Sequence, residues 1–295
     1  MTTKTALRIR PEIRPDGLPD MDTVQALADP ELTIETITPD DADAWLALNV
    51  NNRSLSQATI DAYARDMQAG AWRMTGDPIR FDTEGNLIDG QHRLTACLLA
   101  SVAFRSVVMR NVPPEAKDSI DQCRPRKVPD ILKMRGTHYA HRLSSTARVM
   151  WDLKHPENRG MRVTSHELLS IIERHPKLAE SVALVDPVPS RRLLSKTQLA
   201  ALHYIGKHVL DEAEKADAFV GVMISGIPAR KNDPAHKFRE RALASRMSPA
   251  LADRRAQFYA MVHCFNLFLA GRTVGRFIPP RAANVAVVGL DAHKI

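Results

Sequence analysis

Hydrophobic positions along this chain change their spacing twice. Up to residue 35 they follow no sustained period, and Pro11, Pro15, Pro19 and Pro30 punctuate scattered charge. That pattern predicts an extended or poorly ordered arm over residues 1–35. Thr38-Pro39-Asp40-Asp41 then reads as a helix start, with Thr38 as cap and Pro39 at the first helical position. A second helix is predicted from Ser56 to Ala69, because Ile60, Tyr63, Ala64 and Met67 fall at i, i+3, i+4 and i+7 and Gly70 ends the run. Beyond it the spacing becomes strand-like. Ile79–Phe81 and Leu87–Ile88 flank the turn Thr83-Glu84-Gly85-Asn86, which reads as a hairpin, and Phe104–Arg110 reads as another strand of the same sheet. From about residue 138 the pattern is helical, with Thr164-x-x-Glu167 and Ser195-x-x-Gln198 as capping boxes and later helices near 211–224, 234–246 and 249–270. The fold class is therefore α+β: a small sheet with helices over residues 36–135, followed by an all-α domain over 136–295.

The candidate chemistry sits where the hairpin meets the next helix. Asp89 suits an N-cap, Gly90 lets a ligand approach the backbone, and the run from Gln91 to about Leu99 is helix-prone. The first-turn N–H groups of such a helix, beside Arg93, favour an anion, and a nucleotide phosphate is the obvious candidate. A guanidinium grips phosphate with paired hydrogen bonds that lysine cannot reproduce. His92 is a candidate for a phosphate contact or a proton shuttle, and Gln91 for positioning a water or a phosphate oxygen. Asp82 and Asp89 end the two hairpin strands and are candidate magnesium ligands, while Asp77 at the lip of the sheet is a candidate base for a hydroxyl nucleophile. Each of these side chains also has a plain local role: an ion pair for Arg93, a buried histidine for His92, turns and caps for the acids. Arg53 lies just before the second helix, where an arm could fold over the ligand. Arg124 and Arg126 alternate and so share a face, within reach of a triphosphate or a nucleic-acid backbone.

Charge extends this picture to a second partner. The net charge is +7, but residues 1–50 hold ten acidic and four basic side chains, whereas residues 191–276 hold fifteen basic and seven acidic. A basic C-terminal half suits DNA through phosphate neutralisation, with Lys237, Arg241, Arg254 and Arg255 as the candidate contacts. Aromatic residues are few and are not interleaved with these charges, which points to backbone contact rather than base stacking. The three cysteines, Cys97, Cys123 and Cys264, are far apart, which argues for reduced thiols, a cytoplasmic setting and no structural zinc. No run of about 18 apolar residues occurs, so no membrane partner is expected. There is no Walker A loop, no His-Glu-x-x-His, no Gly-x-Ser-x-Gly and no Gly-x-Gly-x-x-Gly.

The string Asp89-Gly90-Gln91-His92-Arg93 resembles the signature of the ParB/sulfiredoxin superfamily, and in particular its phage and mobile-element members. The similarity covers roughly residues 50–130. It implies a small mixed sheet in which a Gly-x-x-Arg helix holds the phosphates of ATP or CTP with Mg2+, and it carries the phosphate contacts onto Gly90, Gln91, His92 and Arg93. Two departures narrow what it implies. Sulfiredoxin chemistry needs a cysteine where Gln91 stands, which removes sulfinic acid reduction. Gln91 and His92 replace the Glu and first Arg of the ParB box, which leaves the base undetermined. The expected function is an NTP-dependent hydrolase or phosphotransferase acting on or near DNA. A partition-like or regulatory DNA-binding protein is the alternative, and a ParB-like nuclease ranks third for want of a cluster of metal-binding acids. A homodimer is left open.

Overall fold

In the computed structural model of the 295-residue chain, the described residues are 30–50, 52–113, 116, 120, 126–156, 161–187, 195–244, 254–280 and 285–295. Most of the expected arm, residues 1–29, lies outside them. The chain is mixed α+β and divides into two compact units, residues 1–125 and 126–295.

The first unit runs β1 (Glu31–Ile37), α1 (Pro39–Leu46), α2 (Gln57–Gln68), β2 (Ile79–Asp82), β3 (Leu87–Asp89), α3 (Gln91–Ala100) and β4 (Phe104–Val112). The strand order is β1-β4-β2-β3. β1 pairs antiparallel with β4, β2 antiparallel with β3 and β2 parallel with β4, so the sheet is mixed. β1 was not legible as a strand, since residues 31–35 read as part of the arm. Its Thr33 and Ile37 are buried, whereas Glu35, on the same face, is held by Arg110 at 2.5 Å. A paired glutamate on the inward face hides the period-2 signal. One core joins the strands to the helices through Ile37, Ile79, Phe81, Phe104 and Val108 on the sheet and Ile60, Ala64, Met67 and Leu94 on α2 and α3. Thr38 caps α1 in a reciprocal box with Asp41.

The second unit is helical among its described residues: α4 (Val128–Met134), α5 (Ala140–Lys154), α6 (Ser165–Arg174), α7 (Leu178–Val185), α8 (Lys196–Tyr204), α9 (Ala213–Ser225), α10 (Pro234–Ala244) and α11 (Arg254–Leu269). Val128 and Leu132 of α4 belong to its core, so the helical unit starts ahead of the expected boundary at 135/136. Thr164 and Glu167 form the expected capping box, and Ser195 accepts from the Gln198 N–H. α8 continues into a π-helical turn at Ile205–Val209. There Gly206 lets two elements close up, since a Cβ would lie 2.8 Å from the Phe265 ring and 2.9 Å from Ala216 Cβ. No helix among the described residues is long and apolar enough to cross a membrane.

Candidate functional site

Gly90 sets the geometry where β3 turns into α3. It caps the helix from the left-handed region (φ 111°), and no side chain caps the helix end. Asp89, expected as the cap, instead directs its carboxylate to two guanidiniums, Arg80 at 2.5 Å and Arg93 at 3.2 Å. The correction has a physical reason: with Gly90 supplying the turn, Asp89 stays in the strand, directly opposite Arg80 in the register. The glycine is needed for packing as well, because a Cβ would lie 2.9 Å from Ile79 Cγ1.

Arg93 is anchored rather than swinging free. Its guanidinium donates to the Asp77 carbonyl at 2.5 Å, to the Pro78 carbonyl at 2.8 Å and to Asp89. A guanidinium has five N–H donors, so two remain without a partner among the described residues. Arg80, Asp89 and Arg93 together carry one net positive charge at the helix start, where the macrodipole adds to it. The same three side chains clasp the hairpin to α3.

Gln91 and His92 do something the sequence did not suggest: they tie down the segment between α1 and α2. The buried Gln91 amide donates to the Arg53 carbonyl at 2.7 Å and accepts from Asn49 at 3.0 Å. Asn52 donates to the Leu87 carbonyl at 2.6 Å and to Asn49. His92 Nε2 accepts the Ser56 N–H at 3.0 Å, which fixes the tautomer with the proton on Nδ1. Arg53 is thereby held by its own backbone over the first turn of α3, with its side chain exposed. Asn49 and Asn52 are the residues that sequence reasoning underused; an Asn-Asn pair near a helix start carries no period.

The candidate acids are not brought together as a metal pair. Asp82 is buried and accepts from the Glu84 and Asn86 N–H groups and from the Asn86 amide, so its carboxylate closes the hairpin turn. Asp89 is taken by the two arginines. No group of three or more His, Cys, Asp or Glu among the described residues could hold a metal ion. These residues do not fit a protein-bound magnesium. Asp77 differs: it is exposed, and its carboxylate accepts from the Thr75 hydroxyl at 2.9 Å. Burial pushes the Cys97 thiol up to about 11, which disfavours its thiolate.

The remaining cationic candidates fall elsewhere. Arg124 lies outside the described residues, and Arg126 is exposed at the start of the second unit. Lys237 is paired with Glu240 at 2.9 Å. Arg241 follows it on the same face of α10, and Arg254 and Arg255 open α11 with side chains outside the described residues. α6 and α7 are joined by three residues, and α7 itself contains no Lys or Arg, with Lys177 at its N-cap.

The second unit also holds a Ser-His-Asp chain that no sequence spacing announced. His203 Nδ1 lies 2.8 Å from Ser181 Oγ, and Nε2 lies 2.7 Å from Asp217. Ser181 is fully buried, so no substrate reaches its hydroxyl, and the chain pins α7, α8 and α9 together. Nearby, His175 Nδ1 meets the Tyr204 hydroxyl at 3.0 Å. Burial holds His175 and His208 below the usual histidine range, with cationic neighbours adding to it. Both imidazoles therefore take protons more readily in the unfolded chain. Their contribution to stability is present above about pH 6.5 and is lost as pH falls below that value. The Tm of the helical unit is expected to fall between pH 7 and pH 5, and His175→Gln with His208→Gln to flatten that fall in a calorimetric pH series. Asp217 acts at lower pH: hydrogen bonding from His203 depresses it, so its share is lost only as the carboxylate protonates below its ordinary 3.8. Compared with known proteins, the chain matches no family model, no curated protein and no solved structure.

Proposed function

We propose that residues 30–112 form a nucleotide-binding domain of the ParB/sulfiredoxin kind, that a polyphosphate sits at the start of α3, and that binding serves as a switch for a nucleic-acid-associated protein. The observation that carries this reading is the start of α3. It is a helix end with no side-chain cap, on a left-handed glycine, beside an arginine fixed by two carbonyls and a carboxylate with two N–H donors to spare. In this reading the Gln91 and His92 amides and the Arg93 guanidinium hold the phosphates, the Arg93 N–H already donating to the Gly90 carbonyl, and Arg53 supplies a second cation. Gln91 and His92 couple that end to the 48–56 segment, so a ligand that strains α3 is felt in the segment. A bound nucleotide would bring its own Mg2+ on its phosphates.

Switching is preferred to turnover because Asp82 and Asp89 are consumed by structural contacts and His92 Nε2 is already an acceptor. A second reading, the NTP-dependent hydrolase or phosphotransferase, is favoured by one observation: Asp77 keeps an exposed carboxylate on the residue whose carbonyl anchors Arg93. The experiment is calorimetric titration with ATP, CTP, GTP and UTP in Mg2+, run beside an assay for released phosphate. Saturable binding of at least one nucleotide without multiple turnover is expected. Multiple turnover abolished by Asp77→Asn would replace the switch by the enzyme, and no binding of any nucleotide would remove both.

A further inference from the structure

We propose that the turn between α4 and α5 is a docking surface for single-stranded nucleic acid. This deepens the nucleic-acid part of the function proposed above and is independent of its nucleotide site. From Ile131 to Trp151 the chain carries four Lys or Arg side chains, two histidines and no carboxylate; Arg142 and Arg148 are paired with Asp186 and Asp152, so Lys133 and Arg135 supply the charge at the turn itself. The turn is fixed: the Gly136 N–H donates to the Lys133 carbonyl, and the Thr137 N–H donates to the Leu132 carbonyl. Leu132, Ala140 and Leu143 go into the helical core. That leaves Lys133, Met134, Arg135, His138, Tyr139 and His141 exposed on the outside.

The composition of that outside is unusual for a solvated loop. Met134 is 70% and Tyr139 45% exposed; Met134 lies between Lys133 and Arg135 in the chain, and Tyr139 follows His138, with Ala140 between it and His141. Tyr139 also holds a left-handed backbone (φ 56°) that Asn or Gly would adopt with less strain. Exposed rings a few residues after a Lys–Arg pair match an unpaired strand, whose bases stack on Tyr and His while its phosphates meet Lys and Arg. A duplex hides its bases and would use only the charges. Arg135 is paired with Glu173 at 3.0 Å, but both side chains are more than half exposed, so that pair exchanges readily with a phosphate. The interleaving of rings and charges that is missing among residues 191–276 is present here.

The test is fluorescence anisotropy on the full chain with labelled oligothymidylate, oligouridylate and a hairpin duplex, each of about 15 nucleotides, over a salt series. At least one single strand is expected to bind about tenfold more tightly than the duplex. Tyr139→Asn is expected to weaken it by about tenfold with Tm unchanged or raised, while Tyr139→Phe keeps the affinity. Lys133→Ala and Arg135→Ala should each lower the log–log salt slope by about 0.7. Arg93→Lys should leave oligonucleotide affinity unchanged, which separates this surface from the nucleotide site. Equal binding of the duplex, no binding of any strand, or a Tyr139→Asn protein with full affinity would overturn the proposal.

Discussion

Gly90→Ala is expected to destabilise the sheet-bearing unit by about 2–5 kcal/mol, the larger of two effects predicted at the start of α3. Two costs add. An alanine must hold a left-handed backbone that glycine adopts freely, at about 1–2 kcal/mol. Its methyl group must also enter a space already occupied by Ile79, a fully buried β-branched side chain with restricted χ1, at about 1–3 kcal/mol. Trp45 and Trp72 lie in the first unit and Trp151 in the second, so fluorescence-monitored denaturation on a Trp151→Phe background reads this unit alone. A shift below about 0.5 kcal/mol would mean that the strand-to-helix turn relaxes and that Gly90 is not fixed by its packing.

Arg93 carries the second effect, and it divides into structure and ligand. Arg93→Ala removes three hydrogen bonds, one of them to a partly buried carboxylate, and is expected to cost about 2–4 kcal/mol. Loss of nucleotide binding in that variant would therefore say little by itself. Arg93→Lys keeps the charge but cannot serve two carbonyls and an anion at once. It is expected to cost about 1–2 kcal/mol in stability and to weaken nucleotide binding by about tenfold or more. Equal affinity in wild type and Arg93→Lys would assign the guanidinium wholly to clasping the hairpin onto the helix.

The parts of the fold that were legible are those whose signals are local. Thr38-Pro39, the Ile60/Ala64/Met67 stripe, the Gly85-Asn86 hairpin and the Thr164–Glu167 box each state their structure within a few residues, and each helix or turn is where they put it. β1 was lost because its inward glutamate pairs with Arg110, about 75 residues away in sequence, as well as with the neighbouring Thr33 hydroxyl. The site was legible in the same uneven way. The sequence located the helix start and its arginine, but which acid caps, which pairs and which closes a turn depends on strand register. Asp89 faces Arg80 across a β-ladder, and no spacing rule says so. Gln91 and His92 illustrate the same limit, since their partners at Asn49, Arg53 and Ser56 come from a segment with no periodic signal.

The central claim is that a polyphosphate occupies the helix start at Gly90–Arg93, and amide-resolved NMR titration with the four nucleoside triphosphates in Mg2+ tests it most directly. Saturable shifts centred on the Gly90, Gln91, His92 and Arg93 amides, spreading to the 48–56 segment, are the predicted result. Saturation elsewhere with those four amides unmoved would contradict it.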